Sequence, residues 1–439
     1  MEGFSSLQQL VIHECNELST IPDGAFEALT SLRELVISYC CKLDSVSVSG
    51  LPSLEKLKIQ NFNLSSIGDT LANSRCLKEL LLSGLHELSF IPSLDGLTSL
   101  QALNVIGCGL VECLPSGLSS CTALKVLGIQ RCHNLISIPQ DLKELRSIVS
   151  LNISRCSELS SIPENLLNYL TCLKTLTIGG FSEEIEEFPG LSFFHLLNTS
   201  LESLKLYGWE KLNMLPRQIQ HLTALKKLTL SEFGEVETLP EWLGNLSTLK
   251  KLSISDCSQL RCLPRALSAC TTLEELSIYG CPNLVFIPEE TLGCLTQLKS
   301  LGIGGFSTEL EEFPGLSSIH HLHTCLGELS LSGWEKLTQL PHQIQHLTAL
   351  RYLSLSKFDG LEVLPEWLGN LASLHRLVLR DCKNLKHLPS AGAIRGLSKF
   401  QRIHIDGCPL LEEKCAEENG PEWSKISHLQ TIDINFQNI

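Results

Sequence analysis

A chain of 439 residues that is 43% hydrophobic, 19% charged and only 6% aromatic builds an aliphatic core and carries too few charges to remain disordered. Its 48 acidic and 34 basic side chains leave a formal charge of −14, which argues against binding that rests on neutralising nucleic-acid phosphates. No apolar run approaches the roughly 18 residues of a membrane span, and the stretch MEGFSSLQQLVIHECNEL, with an early acid and no continuous apolar segment, does not read as a signal peptide.

In chain order, one frame opens at Leu7, Leu32, Leu54, Leu77, Leu100, Leu124, Ile148, Leu173, Leu201, Leu225, Leu249, Leu273, Leu298, Leu326, Leu350, Leu374, Phe400 and Leu429. These eighteen openings fall on average about 25 residues apart. Each reads L-x-x-L-x-L or a close variant, an alternation suited to a short strand with one buried face. Segments 124–139 (LKVLGIQRCHNLISIP), 249–264 (LKKLSISDCSQLRCLP) and 273–288 (LEELSIYGCPNLVFIP) show the full unit. Eight residues after the opening stands Cys15, Cys40, Cys108, Cys132, Cys156, Cys257, Cys281, Cys382 or Cys408, or else Phe181, Trp209, Phe233, Phe306, Trp334 or Phe358; there the chain turns into the core. A closing Leu-Pro or Ile-Pro ends strand pairing, because proline lacks an N–H, and begins a return segment such as EWLGNLSTL. No repeat buries its apolar edge alone. The predicted fold is therefore an α/β repeat, a leucine-rich repeat solenoid of about 18 repeats curved as a horseshoe, with parallel strands on the concave face.

The nineteen cysteines include no C-x-x-C pair, and nine of them share one register. That pattern reads as small buried thiols in a reducing compartment, the cytosol or nucleus, rather than as a disulfide framework. A longer period lies above the repeat: residues 173–264 and 298–389 match at an offset of 125, with LKTLTIGGFSEEIEEFPGLS against LKSLGIGGFSTELEEFPGLS. Residues 1–408 are expected to form the solenoid, its first repeat uncapped as in a fragment or truncated product, and 409–439 a last repeat and cap.

The sequence contains no GxxxxGK[ST], HExxH or GxSxG, and no cofactor is expected. His320, His321, His323 and Cys325 have metal-like spacing, but the block copy replaces three of the four, so they read as a solvated loop with no metal. The runs Glu183, Glu184, Glu186, Glu187 and Glu309, Glu311, Glu312 read as a solvated rim. Trp209, Trp334, Trp242 and Trp367 read as packing. Enzymatic chemistry is not expected.

The residues two, four and six after each opening point outward. Serines dominate these positions, with tyrosines and charges between them. The candidate partner-binding residues are Lys205, Tyr207, Lys227, Lys251, Glu275, Tyr279, Glu328, Tyr352, Arg376, Arg380 and Arg402. Rigid aromatic and arginine anchors among adaptable serines suit recognition of another protein. Lys226, Lys227, Lys250 and Lys251 lie on adjacent strands, where an anionic partner and local neutralisation by Glu232, Asp256, Glu274 and Glu275 are equal alternatives.

The Cys/Trp/Phe position, the Leu-Pro closures and above all CPLLEEKCAEENGPEWSKISHL resemble the leucine-rich repeats of plant intracellular NB-LRR disease-resistance proteins of the coiled-coil class. Those repeats typically end in a Cys-Pro…Cys…Gly…Trp…Ile-x-His segment, here Cys408, Pro409, Cys415, Gly420, Trp423, Ile426 and His428. The resemblance implies an immune-receptor sensor that binds a pathogen effector or a modified host protein and restrains a nucleotide-binding switch. No P-loop is present in this sequence, so the switch itself does not carry over. The alternative is a substrate adaptor of a ubiquitin ligase or a free-standing interaction scaffold, although no F-box-like segment stands before Leu7. Neither reading involves nucleic acid or a membrane.

Overall fold

The computed structural model describes residues 4–68, 71, 74–163, 165–189, 194–416 and 420–435. The chain divides into two compact units, Met1–Leu212 with Pro216–Leu225, and Asn213–Leu215 with Lys226–Ile439. Nine five-residue strands belong to the first: β1 (Gln9–His13), β2 (Glu34–Ser38), β3 (Lys56–Gln60), β4 (Glu79–Ser83), β5 (Ala102–Ile106), β6 (Val126–Gln130), β7 (Ser150–Ser154), β8 (Thr175–Gly179) and β9 (Ser203–Tyr207). Nine belong to the second: β10 (Lys227–Ser231), β11 (Lys251–Ser255), β12 (Glu275–Tyr279), β13 (Ser300–Gly304), β14 (Glu328–Ser332), β15 (Tyr352–Ser356), β16 (Arg376–Arg380), β17 (Arg402–Asp406) and β18 (Thr431–Asn435). Within each unit every strand pairs in parallel with the next, in register. Each of the eighteen repeat openings leads into one of them.

The register turns the L-x-L of each repeat into continuous apolar columns. Leu228, Leu252, Leu276, Leu301, Leu329, Leu353, Leu377 and Ile403 follow one another across the second unit, each no more than 2% exposed. A slip of one residue would turn each strand's leucines outward, so the pattern holds the register tightly.

The return segments are mostly single 3₁₀ turns. Gln140–Glu144, Arg217–His221, Glu241–Asn245, Arg265–Ala269, His342–His346 and Glu366–Asn370 each follow a proline and bury one aliphatic side chain: Leu142, Ile219, Leu243, Leu267, Ile344 and Leu368. The helical part of the α/β repeat is thus short, because about 25 residues must also hold a strand, a corner and a loop. Among the described residues there are also four brief α-helices: α1 (Leu166–Tyr169), α2 (Ala391–Gly396), α3 (Pro409–Ala416) and α4 (Trp423–Ile426).

The corner after each strand obeys one backbone rule. In fifteen repeats the residue seven after the opening has positive φ: glycine at 84, 107, 180, 280, 305 and 407, and a side-chain-bearing residue at 14, 39, 61, 131, 155, 232, 256, 357 and 381. A left-handed conformation costs an L-residue roughly 1–2 kcal/mol. It is retained because the corner N–H reaches the last strand carbonyl of the next repeat, as in Asn61 to Ser83 (2.8 Å), Arg131 to Ser154 (3.0 Å) and Asp381 to Asp406 (2.8 Å). The following cysteine is buried and uses its thiol as a weak donor to strand carbonyls; Cys132 Sγ lies 3.6 Å from the Gln130 carbonyl and 3.7 Å from that of Val105. Burial pushes the Cys108 thiol up to about 12, so it stays protonated. Cys15 departs from the buried column: it is exposed, because β1 pairs on only one side among the described residues. Where Trp replaces cysteine, Trp209 Nε1 donates to the Ile185 carbonyl and Trp334 Nε1 to that of Leu310, both at 2.6 Å, against Phe188 and Phe313.

Beyond Cys408 the chain packs around two buried carboxylates, Glu422 and Glu412. Glu422, 2% exposed, accepts from His387 Nδ1, Lys425 Nζ and the Leu388 N–H, each at 2.9 Å, while Lys425 also reaches the Leu388 carbonyl at 3.1 Å. Proline at the first position of α3 needs no donor, and buried Glu412 accepts the Cys408 N–H at 2.8 Å. Of the resemblance residues, Cys408, Cys415, Gly420 and Ile426 are buried, Trp423 is half-buried and His428 exposed.

Two predictions test this description. A Cβ on Gly107 would meet nothing closer than 3.7 Å, so Gly107→Ala isolates backbone strain; urea unfolding should record a loss of about 1–2 kcal/mol, and Arg131→Gly should show none. Burial by itself would raise the Glu422 pKa, but the bonds from His387, Lys425 and Leu388 outweigh it and hold the carboxyl below its ordinary value. Its contribution is therefore fully present above the unfolded pKa of about 4.3 and is lost as pH falls through the lower folded value. Glu422→Gln should lower thermal stability at pH 7 by about 2–3 kcal/mol, with the gap from the parent closing in acid; a gap that is constant with pH contradicts the assignment.

Candidate recognition face

Each strand sets its first, third and fifth residues off the leucine columns, and the register aligns them into rows, in which Ser231, Gly302, Gly304 and Val378 are buried. In the second unit the first row runs Lys227, Lys251, Glu275, Ser300, Glu328, Tyr352, Arg376, Arg402, Thr431. Seven of the eleven candidate residues stand on this line. The middle row is Thr229, Ser253, Ser277, Gly302, Ser330, Ser354, Val378, His404, Asp433, and the third is Ser231, Ser255, Tyr279, Gly304, Ser332, Ser356, Arg380, Asp406, Asn435. The 3₁₀ turns bury Leu267 and Ile344 in the same core as the strand leucines.

Charge on the first row is sorted by position. Lys251 forms an ion pair with Glu275, and just before these strands Glu274 accepts from Lys250 (2.7 Å) and Lys299 (2.6 Å). Those two lysines hold the Glu274 carboxyl down at about 2. Local neutralisation therefore accounts for Lys250 and Lys251. Lys227 and Glu328 are exposed. Arg376 and Arg402 are register partners, both exposed, and Arg380 is exposed at the far end of β16. Among the described residues no carboxylate oxygen comes within 4.0 Å of these three guanidinium groups. The Arg376 guanidinium instead lies 5.8 Å from the centre of the half-buried Tyr352 ring.

Two tyrosines expected to stand free are tethered. Tyr279 crosses the neighbouring strand above Gly302, where any Cβ would come 2.4 Å from its hydroxyl, and its OH donates to the Ser330 carbonyl at 3.4 Å. Burial pushes that phenol up to about 12. The block copy has Thr177 in place of Gly302, and the strand before it ends in Ser154 where Tyr279 stands here, so ring and gap occur together. In the first unit Tyr207 is flanked by Lys205 Nζ at 4.5 Å and the Arg155 guanidinium at 4.6 Å from its ring centre. Val378, expected outward, is fully buried on the middle row between Arg376 and Arg380. The other charges on the first unit's strands pair among themselves, Lys58 with Glu34 and Lys56 with Glu79, each at 3.1 Å.

The histidines lie elsewhere. His320, His323, His342 and His346 line a surface groove of the return segments, with His320 Nδ1 3.1 Å from the Ser317 carbonyl and His323 Nδ1 3.2 Å from that of His320. Among the described residues no group of three or more His, Cys, Asp or Glu is arranged to hold a metal ion. Glu309 pairs with Lys336 at 2.6 Å, and the other acids of both runs are exposed. No described helix is long and apolar enough to cross a membrane.

No protein-family model matches the chain. It is 38% identical over 104 residues to the disease-resistance-type protein At4g19050 of Arabidopsis thaliana, covering 24% of this chain and 9% of that protein. It is 35% identical over 54 residues to the disease-resistance-type protein RGA4 of Solanum bulbocastanum, covering 12% of this chain and 5% of that one. The matches thus span less than a tenth of either relative's length. In structure the chain resembles the leucine-rich repeat protein LIC12759 of Leptospira interrogans, with a TM-score of 0.60 and 23% identity over 98% of this chain and 96% of the other. The strand columns, the repeat spacing and these likenesses agree: the chain is a leucine-rich repeat solenoid, similar over part of its sequence to plant disease-resistance proteins.

Proposed function

We propose that the strand face recognises a protein, and that the chain serves as the sensor of a plant innate immune receptor in the cytosol or nucleus. The observation that carries this reading is the set of three rows aligned by the strand register, rich in small serines and set off from the buried leucine columns. Such a surface is freed from folding duty by the leucines behind it, and its sequence can vary without disturbing the stack. The partial similarity to plant disease-resistance proteins favours a pathogen effector or a modified host protein as the partner, with a nucleotide-binding switch in the same receptor as what the repeats restrain. Buried thiols held in protonated form suit a reducing compartment.

Truncation of a central aromatic or arginine anchor typically costs an interface about 2 kcal/mol or more. Tyr352→Ala and Arg376→Ala should accordingly weaken binding of a purified partner, measured by calorimetry, while the melting temperature holds. Tyr279→Ala should also loosen β12 against β14, because it removes the tether over Gly302. Binding unchanged by all three, together with its abolition by Glu187→Lys on the acidic segment after β8, would place recognition on the other side of the repeats.

A further inference from the structure

The cations of the strand face are treated unequally. Lys56, Lys58 and Lys251 each meet a carboxylate on an adjacent strand, and Lys205 rests on Tyr207. Arg376 and Arg402 meet none among the described residues, although the chain carries 48 acids against 34 bases. Parallel pairing sets the two directly opposite each other, at a strand spacing of about 4.8 Å. Like charges so placed destabilise the sheet they stand on. The other like-charge pair of the first row, Lys227 opposite Lys251, is relieved because Lys251 meets Glu275 on its far side, whereas neither arginine meets a carboxylate among the described residues.

The surroundings orient the pair. Tyr352, on the strand before, lies under the Arg376 guanidinium, which restricts the fork at little cost in hydration. Val378 is fully buried beside it and fixes the strand between Arg376 and Arg380. Of the nearby acids, Asp433 holds His404 Nδ1 at 2.8 Å and Asp406 accepts from Asn435 at 3.2 Å, while Glu328 is exposed on the same row beyond Tyr352. Two guanidinium forks at strand spacing match two carboxylates carried by one extended segment, each able to accept in bidentate fashion. The chain's charge of −14 repels long polyanions at a distance, so the ligand that suits the pair is a short acidic stretch of polypeptide, not a nucleic acid.

We infer that Tyr352, Arg376 and Arg402 form a docking site for an acidic segment of a partner protein. The inference rests on the strand face being the recognition surface and names the chemistry of what binds at one end of it. The test uses the full chain and a fluorescent twelve-residue peptide of alternating glutamate and glycine, with the glutamine version as control, followed by anisotropy at two salt concentrations. The glutamate peptide should bind, weaken as salt rises, and lose at least tenfold in affinity in Arg376→Ala/Arg402→Ala, whereas Lys58→Ala should bind like the parent. Because both arginines are exposed and repel each other, the double variant should melt at or above the parent. Equal binding of the glutamine peptide, or undiminished binding by the double variant, overturns the site. Tighter binding of a single-stranded oligonucleotide than of the glutamate peptide, lost in the same variant, also overturns it in favour of a phosphate reader. If the peptide fails but Tyr352→Ala still weakens a purified partner, only the acidic-segment assignment falls; if neither responds, the strand face falls with it.

Discussion

The structure depends on the pairing of an apolar column with a left-handed corner. The column supplies the favourable free energy: leucines at fixed intervals, fully buried, each packed on its equivalents one repeat away. The corner decides geometry. It turns the chain from strand into core at the same step each time, and its N–H ties that step to the next repeat. Nine side-chain-bearing residues accept the strain of positive φ to keep this spacing. Both elements act between neighbours, so the order of the stack is carried from one repeat to the next.

Much of this was legible in the sequence, because the signal recurs. Eighteen openings at a near-constant spacing define the strand register, and alternation within each defines which residues face out. The tryptophan and phenylalanine replacements at the cysteine position were readable as packing, since the block duplication repeats them. The brevity of the return segments was less plain: EWLGNLSTL has residues that suit an α-helix, yet proline before it and a leucine required every third residue allow only a 3₁₀ turn.

What escaped the sequence lies where one residue's role depends on another far along the chain. Tyr279 reads as an outward anchor until Gly302, on the next strand, opens the space into which the ring falls. Glu422 reads as one acid among several; only the fold sets it between His387 and Lys425 and buries it. Lys251 looks like half of a basic cluster and proves to be half of an ion pair. In each case the periodic pattern fixes the position and the face, while the partner is set by stacking. The same logic applies to the outward cations: all face out in the sequence, but only the structure shows that Lys56, Lys58 and Lys251 meet a carboxylate.

The central claim is that each repeat is held by its immediate neighbours, which leaves the outward rows free to serve recognition. Amide hydrogen exchange on Leu276→Ala tests it most directly, since that truncation removes a fully buried side chain from β12 and should cost roughly 2–5 kcal/mol locally. The account predicts faster exchange in β11, β12 and β13, with β17 and β18 protected as in the parent. Equal loss of protection in every strand of the second unit would contradict it.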